Sequence, residues 1–356
     1  MPTLTHVTVL HTGADVPSGA TYLPATGDHV RWGRLPCAAD DPVLTVDPGT
    51  EVVVDTISHE GILEDQGRDP RVFFDPYGVE VLDDAVALAA SDAARTFGVD
   101  GPHVVTGPVA VRGARVGDLL AMTVVETLPR VPYGVVSNRH GRGALPGEYP
   151  TGSDVVSVFA RAEDGYGHIA YGPEDDRTVR FPLAPFLGIM GVAVAGGARP
   201  HSVPPGPHGG NIDINLLTAG ATLYLPIQVD GALAYVGDPH FAQGDGEVAL
   251  TALEASLRAT VRFDVIARED ALSEFGEVVG PLARTTEFLV PTGMDEDLDV
   301  AVQNCVRAAI GLLRARYGMD PAHAYAYLSA ATDFNISQVV DLVKGVHARI
   351  RIEDFA

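Results

Sequence analysis

Val43-Leu44-Thr45-Val46-Asp47-Pro48-Gly49-Thr50-Glu51-Val52-Val53-Val54-Asp55-Thr56 holds two runs of β-branched residues joined by Asp-Pro-Gly. Valine and threonine suit a pleated strand, and the Pro-Gly pair ends one run and opens the next. The pattern recurs outward from here. Val104-Val105-Thr106 and Val109-Ala110-Val111 lead through a turn at Gly113 to Gly117 into the extended run Leu119 to Glu126. Thr222-Leu223-Tyr224-Leu225-Pro226-Ile227, Val248 to Leu257 and Thr260 to Ile266 repeat it. With 39 glycines and 26 prolines in 356 residues, turns are abundant. The chain is expected to be mainly β (α+β), a β-sandwich or barrel-like core with a few C-terminal helices.

Helical spacing is local. Val81, Ala85, Leu88 and Ala89 predict one helix within Asp75 to Phe97. Leu298, Val302, Cys305, Ala309 and Leu312 predict another, with Gly318 at its C′ position. Asp320-Pro321 caps and starts a second C-terminal helix, and Ser337 to Lys344 reads as a third, stopped by Gly345. Val346, Ala348, Ile350 and Ile352 then alternate with polar residues as a closing strand. The reading divides the chain into an N-terminal β-rich lobe (1–130), a Gly- and charge-rich excursion (131–180) acting as lid or partner contact, and a β-rich catalytic lobe with C-terminal helices (181–356). No linker-like break separates them, so one continuous core is expected.

Lys and Arg number 24 against 47 Asp and Glu, a formal net charge of −23. A surface this acidic repels phosphate backbones and anionic lipid, which argues against nucleic-acid and membrane partners. There is no apolar run of about 18 residues, and Met1 to Val9 lacks a signal-peptide pattern. Cys37 and Cys305 are too few for a disulfide framework, and Cys305 sits on the apolar helical stripe as a core thiol. These features lead us to expect a cytoplasmic protein.

The polar residues gather in three places. In Gly237-Asp238-Pro239-His240-Phe241-Ala242-Gln243-Gly244-Asp245-Gly246-Glu247, Asp238 and His240 share strand parity and project to one side, as Gln243, Asp245 and Glu247 also do. Carboxylate and imidazole at that spacing can hold one divalent ion; solvated carboxylates on an acidic turn are the plainer alternative. In His208-Gly209-Gly210-Asn211-Ile212-Asp213, Asn211 and Asp213 can face one cavity while Ile212 packs. In Asp55-Thr56-Ile57-Ser58-His59-Glu60-Gly61, carboxylates flank a histidine at a strand end. His103 is a further candidate. Gly-x-Ser-x-Gly, His-Glu-x-x-His, phosphate-loop and dinucleotide motifs are absent, so no serine or cysteine nucleophile has local support.

These segments resemble the acetamidase/formamidase family. The Gly209 to Asp213 and Gly237 to Glu247 strings carry the resemblance. Thr106-Gly107-Pro108-Val109 with Gly113 to Asp118, Glu254, and the run Asp333 to Arg349 extend it over roughly residues 43–352. The resemblance implies a β-sandwich amidohydrolase, homodimeric or larger, that splits formamide- or acetamide-type amides into carboxylate and ammonia near a divalent metal. Zinc is the expected ion, with calcium or another divalent ion as alternatives. The segment Asp55 to Gln66 departs from the family's longer acetamidases.

On this reading some of Asp55, His59, Asp213, Asp238 and His240 hold the metal, which makes a nucleophile of its water. Glu247, Glu60 and Gln243 are the catalytic candidates, with either glutamate moving the proton. Gly210, Asn211, His103 and Asp245 contact a small neutral amide. The alternatives are the same mechanism on a carbamate or cyclic amide, and a non-catalytic metal-binding sandwich. Because the Asp55 to Gln66 loop differs, the pocket is expected to exceed what formamide requires, walled by that loop, by Tyr224 or by a neighbouring subunit.

Overall fold

Along the strand Leu119–Pro129, Leu120, Met122 and Val124 enter one buried cluster, whereas Leu119 and Ala121 enter another. A period of two sends alternate side chains to opposite faces, so this sheet is covered on both sides. The computed structural model describes residues 8–92 and 95–355. Met1 to Val7, Ala93 and Ala94 lie outside the described residues, and so do the parts of the leader and 75–97 helix readings that fall on them.

Leu119–Pro129 belongs to a nine-stranded sheet. Its order is Thr21–Leu23, Thr50–Asp55, Leu257–Ile266, Leu119–Pro129, Thr222–Pro226, Leu282–Arg284, Phe288–Asp295, Lys344–Arg351 and Asp333–Gln338. A second sheet, of eleven strands, runs from Thr178–Pro182 through Tyr166–Ala170, Val155–Glu163, Tyr133–Arg139, Leu253–Glu254, Ala234–Ala242 and Phe186–Gly191 to Gly209–Asn211. Val104–Val111 pairs with Ala234–Ala242 and carries Val30–Trp32 and Leu44–Val46 beside it. Val52, Met122 and Val261 of the first sheet pack with Val109, Leu187 and Val236 of the second, which makes the sandwich core. It is continuous across the expected lobes, and neither sheet closes into a barrel.

The other face of the nine-stranded sheet lies under the helices Arg268–Phe275, Leu298–Tyr317 and Pro321–Ala331. Asp297 caps Leu298–Tyr317 by accepting from the Asp299 and Val300 amides, and Gly318, left-handed at φ 64°, ends it. Asp320 caps the next helix, with Pro321 in its first turn. Leu298–Tyr317 lies close on the strand Phe288–Asp295 because Gly293 has no side chain. A Cβ there would be 2.1 Å from the Cys305 amide nitrogen and 2.2 Å from the Ala301 carbonyl oxygen. Backbone cannot yield as a rotamer can, so Gly293→Ala is expected to destabilise the fold by about 3 kcal/mol. Chemical denaturation measures this, and an unmoved midpoint would show that the helix can back away.

One helix expectation holds in shortened form and one fails. The 75–97 segment is a single turn at Asp75–Tyr77, left-handed Gly78, and a short helix at Asp83–Ala89. Ser337 to Lys344 is not helical: Asp333–Gln338 and Lys344–Arg351 pair as strands across a loop. That loop's hydrogen bonds go elsewhere, from the Gly246 amide to the Ser337 carbonyl and from the Val339 amide to the Gly246 carbonyl. The 131–180 excursion is four strands extending the eleven-stranded sheet. Its outer positions Val156, Val158 and Val179 are well exposed, which weakens the periodicity that would have revealed it. Cys37 and Cys305 are buried and unpaired. No helix among the described residues is long and apolar enough to cross a membrane.

Candidate active site

Ala234–Ala242 is a central strand, paired with Phe186–Gly191 on one side and with Val104–Val111 and Leu253–Glu254 on the other. Asp238 and His240 do project together, as their parity predicts, with Asp238 Oδ2 3.1 Å from His240 Nε2. Phe241 turns the other way into the core. Register places Glu254 directly opposite His240, Oε1 lying 3.1 Å from Nε2. His59 and His103 approach from separate segments, with His59 Nδ1 3.5 Å and His103 Nε2 3.8 Å from Asp238 Oδ1. Asp213 Oδ1 is 4.0 Å from His240 Nδ1. Gly188 leaves the space in which they meet: a Cβ there would lie 2.5 Å from both Asp213 Oδ1 and His240 Cε1 and 2.8 Å from Asp238 Oδ2.

Six of the eleven non-glycine residues with positive φ among the described residues lie in or around this cluster: His140, Asp213, Asp238, Glu247, Leu250 and Leu342. Such conformations are costly for residues with a Cβ and concentrate at functional sites. The cluster forms the floor of a cleft of about 590 Å³, into which His59, His103, Asn211, Asp238, Glu247, Glu254 and Asp341 open.

The cluster buries more carboxyl groups than it has imidazoles to face them. Asp213, Asp238, Glu247, Glu254 and Asp341 are all buried. Both oxygens of Asp213, Asp238 Oδ1, Glu254 Oε2, Asp341 Oδ2 and both ring nitrogens of His240 lack a hydrogen-bond partner. Burial pushes the Asp213 and Asp341 carboxyls well above the usual range, reinforced for Asp213 by Asp341 and for Asp341 by Glu247. Burial likewise raises Glu247 and Glu254. Burial also opposes charge on His59, but the carboxylates of Asp238 and Glu60 beside it prevail and hold it at about 10. His240 is raised by Glu254 and Asp238 against the same penalty. Burial, only partly opposed by Asp238, lowers His103 to about 4.

Unpartnered buried carboxylates beside imidazoles fit a divalent cation. Three groups bring ligand atoms within 4.8 Å of one another: His59, His103 and Asp238; Asp213, His240 and Glu247; Asp238, His240 and Glu254. The mixed nitrogen and oxygen donors suit zinc or another first-row ion better than calcium.

Other candidates stand elsewhere. Asp55 does not reach the cluster: its carboxylate lies 2.6 and 2.9 Å from Arg258 nitrogens and also accepts from the Tyr22 hydroxyl. Glu60 adjoins His59 but is saturated by Arg139, Gln66 and the Ser137 hydroxyl at 2.7 Å. Despite its burial, Arg139 and His59 hold Glu60 down at about 2, a poor base. Asp245 points out of the cluster and fastens its loop to Asn215, Asn335 and Arg349 at 2.9, 2.6 and 2.9 Å. Gln243 Nε2 donates to Glu247 Oε2 at 3.1 Å. Asn211 opens into the cleft with a free Oδ1. Gly210, at φ 80°, leaves only 3.1 Å between a built Cβ and His208 Nε2, so it supports the neighbouring loop. Tyr224 packs on Phe275 at 4.8 Å on the helix side and is not a pocket wall.

Asp341 and Gly188 went unread in the sequence. Asp341 is aimed by its loop: Gln338 Oε1 accepts from the Val340 and Asp341 amides. The carboxylate within Gln338-Val339-Val340-Asp341 was the available signal; for Gly188 there was none.

Fold and site together define a β-sandwich protein whose cleft ends on a buried carboxylate–imidazole centre. The acetamidase/formamidase family profile matches residues 78–196 and 194–352. The chain is 26% identical over 305 residues to a formamidase of Methylophilus methylotrophus, covering 67% of this chain and 74% of that protein. It is 28% identical over 201 residues to an acetamidase of Mycolicibacterium smegmatis, covering 41% of this chain and 49% of that one. The crystal structure of an acetamidase from Bacillus halodurans superimposes with a TM-score of 0.72 at 24% identity, covering 94% and 98% of the two chains. The chain therefore belongs to the acetamidase/formamidase family, and with it to the hydrolases of linear amides.

Proposed function

We propose that the protein hydrolyses a carboxamide to a carboxylate and ammonia with a divalent cation, zinc in our reading, held at the cleft floor. The observation that carries this is the set of buried carboxylate and imidazole atoms left without partners around Asp238 and His240. The cation is taken to sit among His59, His103 and Asp238 or among Asp238, His240 and Glu254, which leaves Glu247 free for the proton. When bound, such a cation polarises an amide carbonyl and makes nearby water more acidic.

Glu247 suits proton transfer better than Glu60. Its carboxyl is raised, opens into the cleft and is oriented by Gln243. It takes a proton from the attacking water at one carboxylate oxygen and returns it to the departing nitrogen, so the reaction closes on ammonia and a carboxylic acid that loses its proton to solvent as carboxylate. The free Asn211 Oδ1 accepts from the substrate's NH₂ group. The exposed apolar face at Val156, Val158 and Val179 supports assembly as a homo-oligomer, and the unpaired cysteines support a cytoplasmic location.

The test is ammonia release from formamide, acetamide and propionamide, with cation content measured by elemental analysis. Chelation is expected to bring release to background, and zinc to restore it together with stoichiometric binding. No release from any of these amides under cation-replete conditions overturns the proposal.

A further inference from the structure

The cleft's volume of about 590 Å³ lies within the roughly 300–1,000 Å³ of cavities that take drug-sized ligands, far more than a one- or two-carbon amide fills. Above the floor one part of its wall is apolar, formed by Phe97, Val203, Leu250, Val340 and Leu342, while Arg95, Arg139, His140, Arg142 and His201 line the rest. Two of these leucines adopt backbone conformations that leucine avoids, Leu250 at φ 107° and Leu342 at φ 67°. Leu342 is also 67% exposed and Phe97 55%, so core packing does not offset the strain at Leu342. Glycine would turn the chain after Asp341 equally well without strain. A strained, solvent-facing leucine at the rim of a reactive cleft is placed to gain a contact from what enters the cleft.

Resting on the amidase reading, we propose that the substrate carboxamide carries an apolar arm of about phenyl size. The arm lies against Leu342, Leu250 and Phe97 while the carboxamide reaches the floor. The rim also holds Arg142, which has no ion-pair partner among the described residues. Arg95 and Arg139, also in the lining, are already paired with Glu64 and Glu60, so only Arg142 is left to meet an acid, and the apolar patch at Phe97, Leu250 and Leu342 with a carboxylate-rich floor favours the apolar arm.

The experiment compares kcat/KM for acetamide, hexanamide, phenylacetamide and succinamic acid on the cation-replete protein, and repeats it with Leu342→Gly. Phenylacetamide and hexanamide are expected to exceed acetamide about tenfold or more. Leu342→Gly should lower the phenylacetamide-to-acetamide ratio about tenfold through KM, while its melting temperature holds or rises because glycine accepts φ 67°. Phe97→Ala, at an exposed position, should lower the same ratio and serves if the first variant misfolds. Acetamide as the best substrate, or a ratio that neither variant moves, overturns the proposal. Preference for succinamic acid overturns it in favour of Arg142. Failure on all four with release from formamide overturns this inference alone, whereas failure on all four and on formamide overturns the amidase reading and this inference with it.

Discussion

Asp238→Asn is expected to lower ammonia release from acetamide by about 10³-fold or more and, on the proposed function, to weaken binding of the cation. Its carboxylate faces three imidazoles, at 3.1 Å from His240, 3.5 Å from His59 and 3.8 Å from His103. Burial opposes its charge, yet His103 and His240 hold it well below the usual carboxylate range, so the residue is an anion in the folded protein. Asparagine keeps the shape and one oxygen but removes the charge on which two of the three donor groups depend. Loss of a ligand removes several kcal/mol of transition-state stabilisation, and each 1.36 kcal/mol is a factor of ten. The change also takes one carboxylate from His59 and His240, which keep Glu60 and Glu254 beside them, so it costs less than the roughly 3–5 kcal/mol of a fully broken buried pair. Circular dichroism should therefore show a folded protein of lower melting temperature. Wild-type cation content with turnover within tenfold of normal would move the centre to Asp213, His240 and Glu247.

What was legible in the sequence was local. Asp238 and His240 are two residues apart on one strand, so parity alone placed them together. The helix Leu298–Tyr317 announced itself by its apolar stripe and by Gly318. What was missed depends on register or distant partners. Glu254 reaches His240 because Leu253–Glu254 pairs with Ala234–Ala242 in one particular register. Glu60 looked like a base because it follows His59, but Arg139, 79 residues away, fixes its charge. Asp55 looked like a ligand because it ends a strand, but Arg258, 203 residues away, claims both its oxygens. Asp341 was hidden in an apparent helix, and its loop is fixed by bonds to Gly246 that no local pattern records.

Glu247→Gln is expected to act in opposite directions on activity and stability. Turnover should fall about 10²–10⁴-fold, the range for loss of a general acid–base group, because glutamine keeps the shape but cannot accept the proton. The melting temperature of the chelator-treated protein should rise. Burial first, then the charge of Asp213, raises the Glu247 carboxyl well above its usual range, against the pull of His240. The native state therefore binds this proton more tightly than the unfolded chain does. For such a group stability falls as pH rises from the unfolded carboxyl's range through the folded one. Below about pH 5 wild type carries the proton and should resemble the variant. As pH rises from there towards about pH 8 the chelated wild type should lose stability that the glutamine protein keeps, so the gap in melting temperature widens. Saturating zinc should narrow it again, since a bound cation offsets the buried charge. Thermal unfolding at both pH values, with chelator and with zinc, measures all four states. Near-normal turnover without a pH-dependent gap would assign the proton to Glu254 instead, the other raised carboxyl that opens into the cleft.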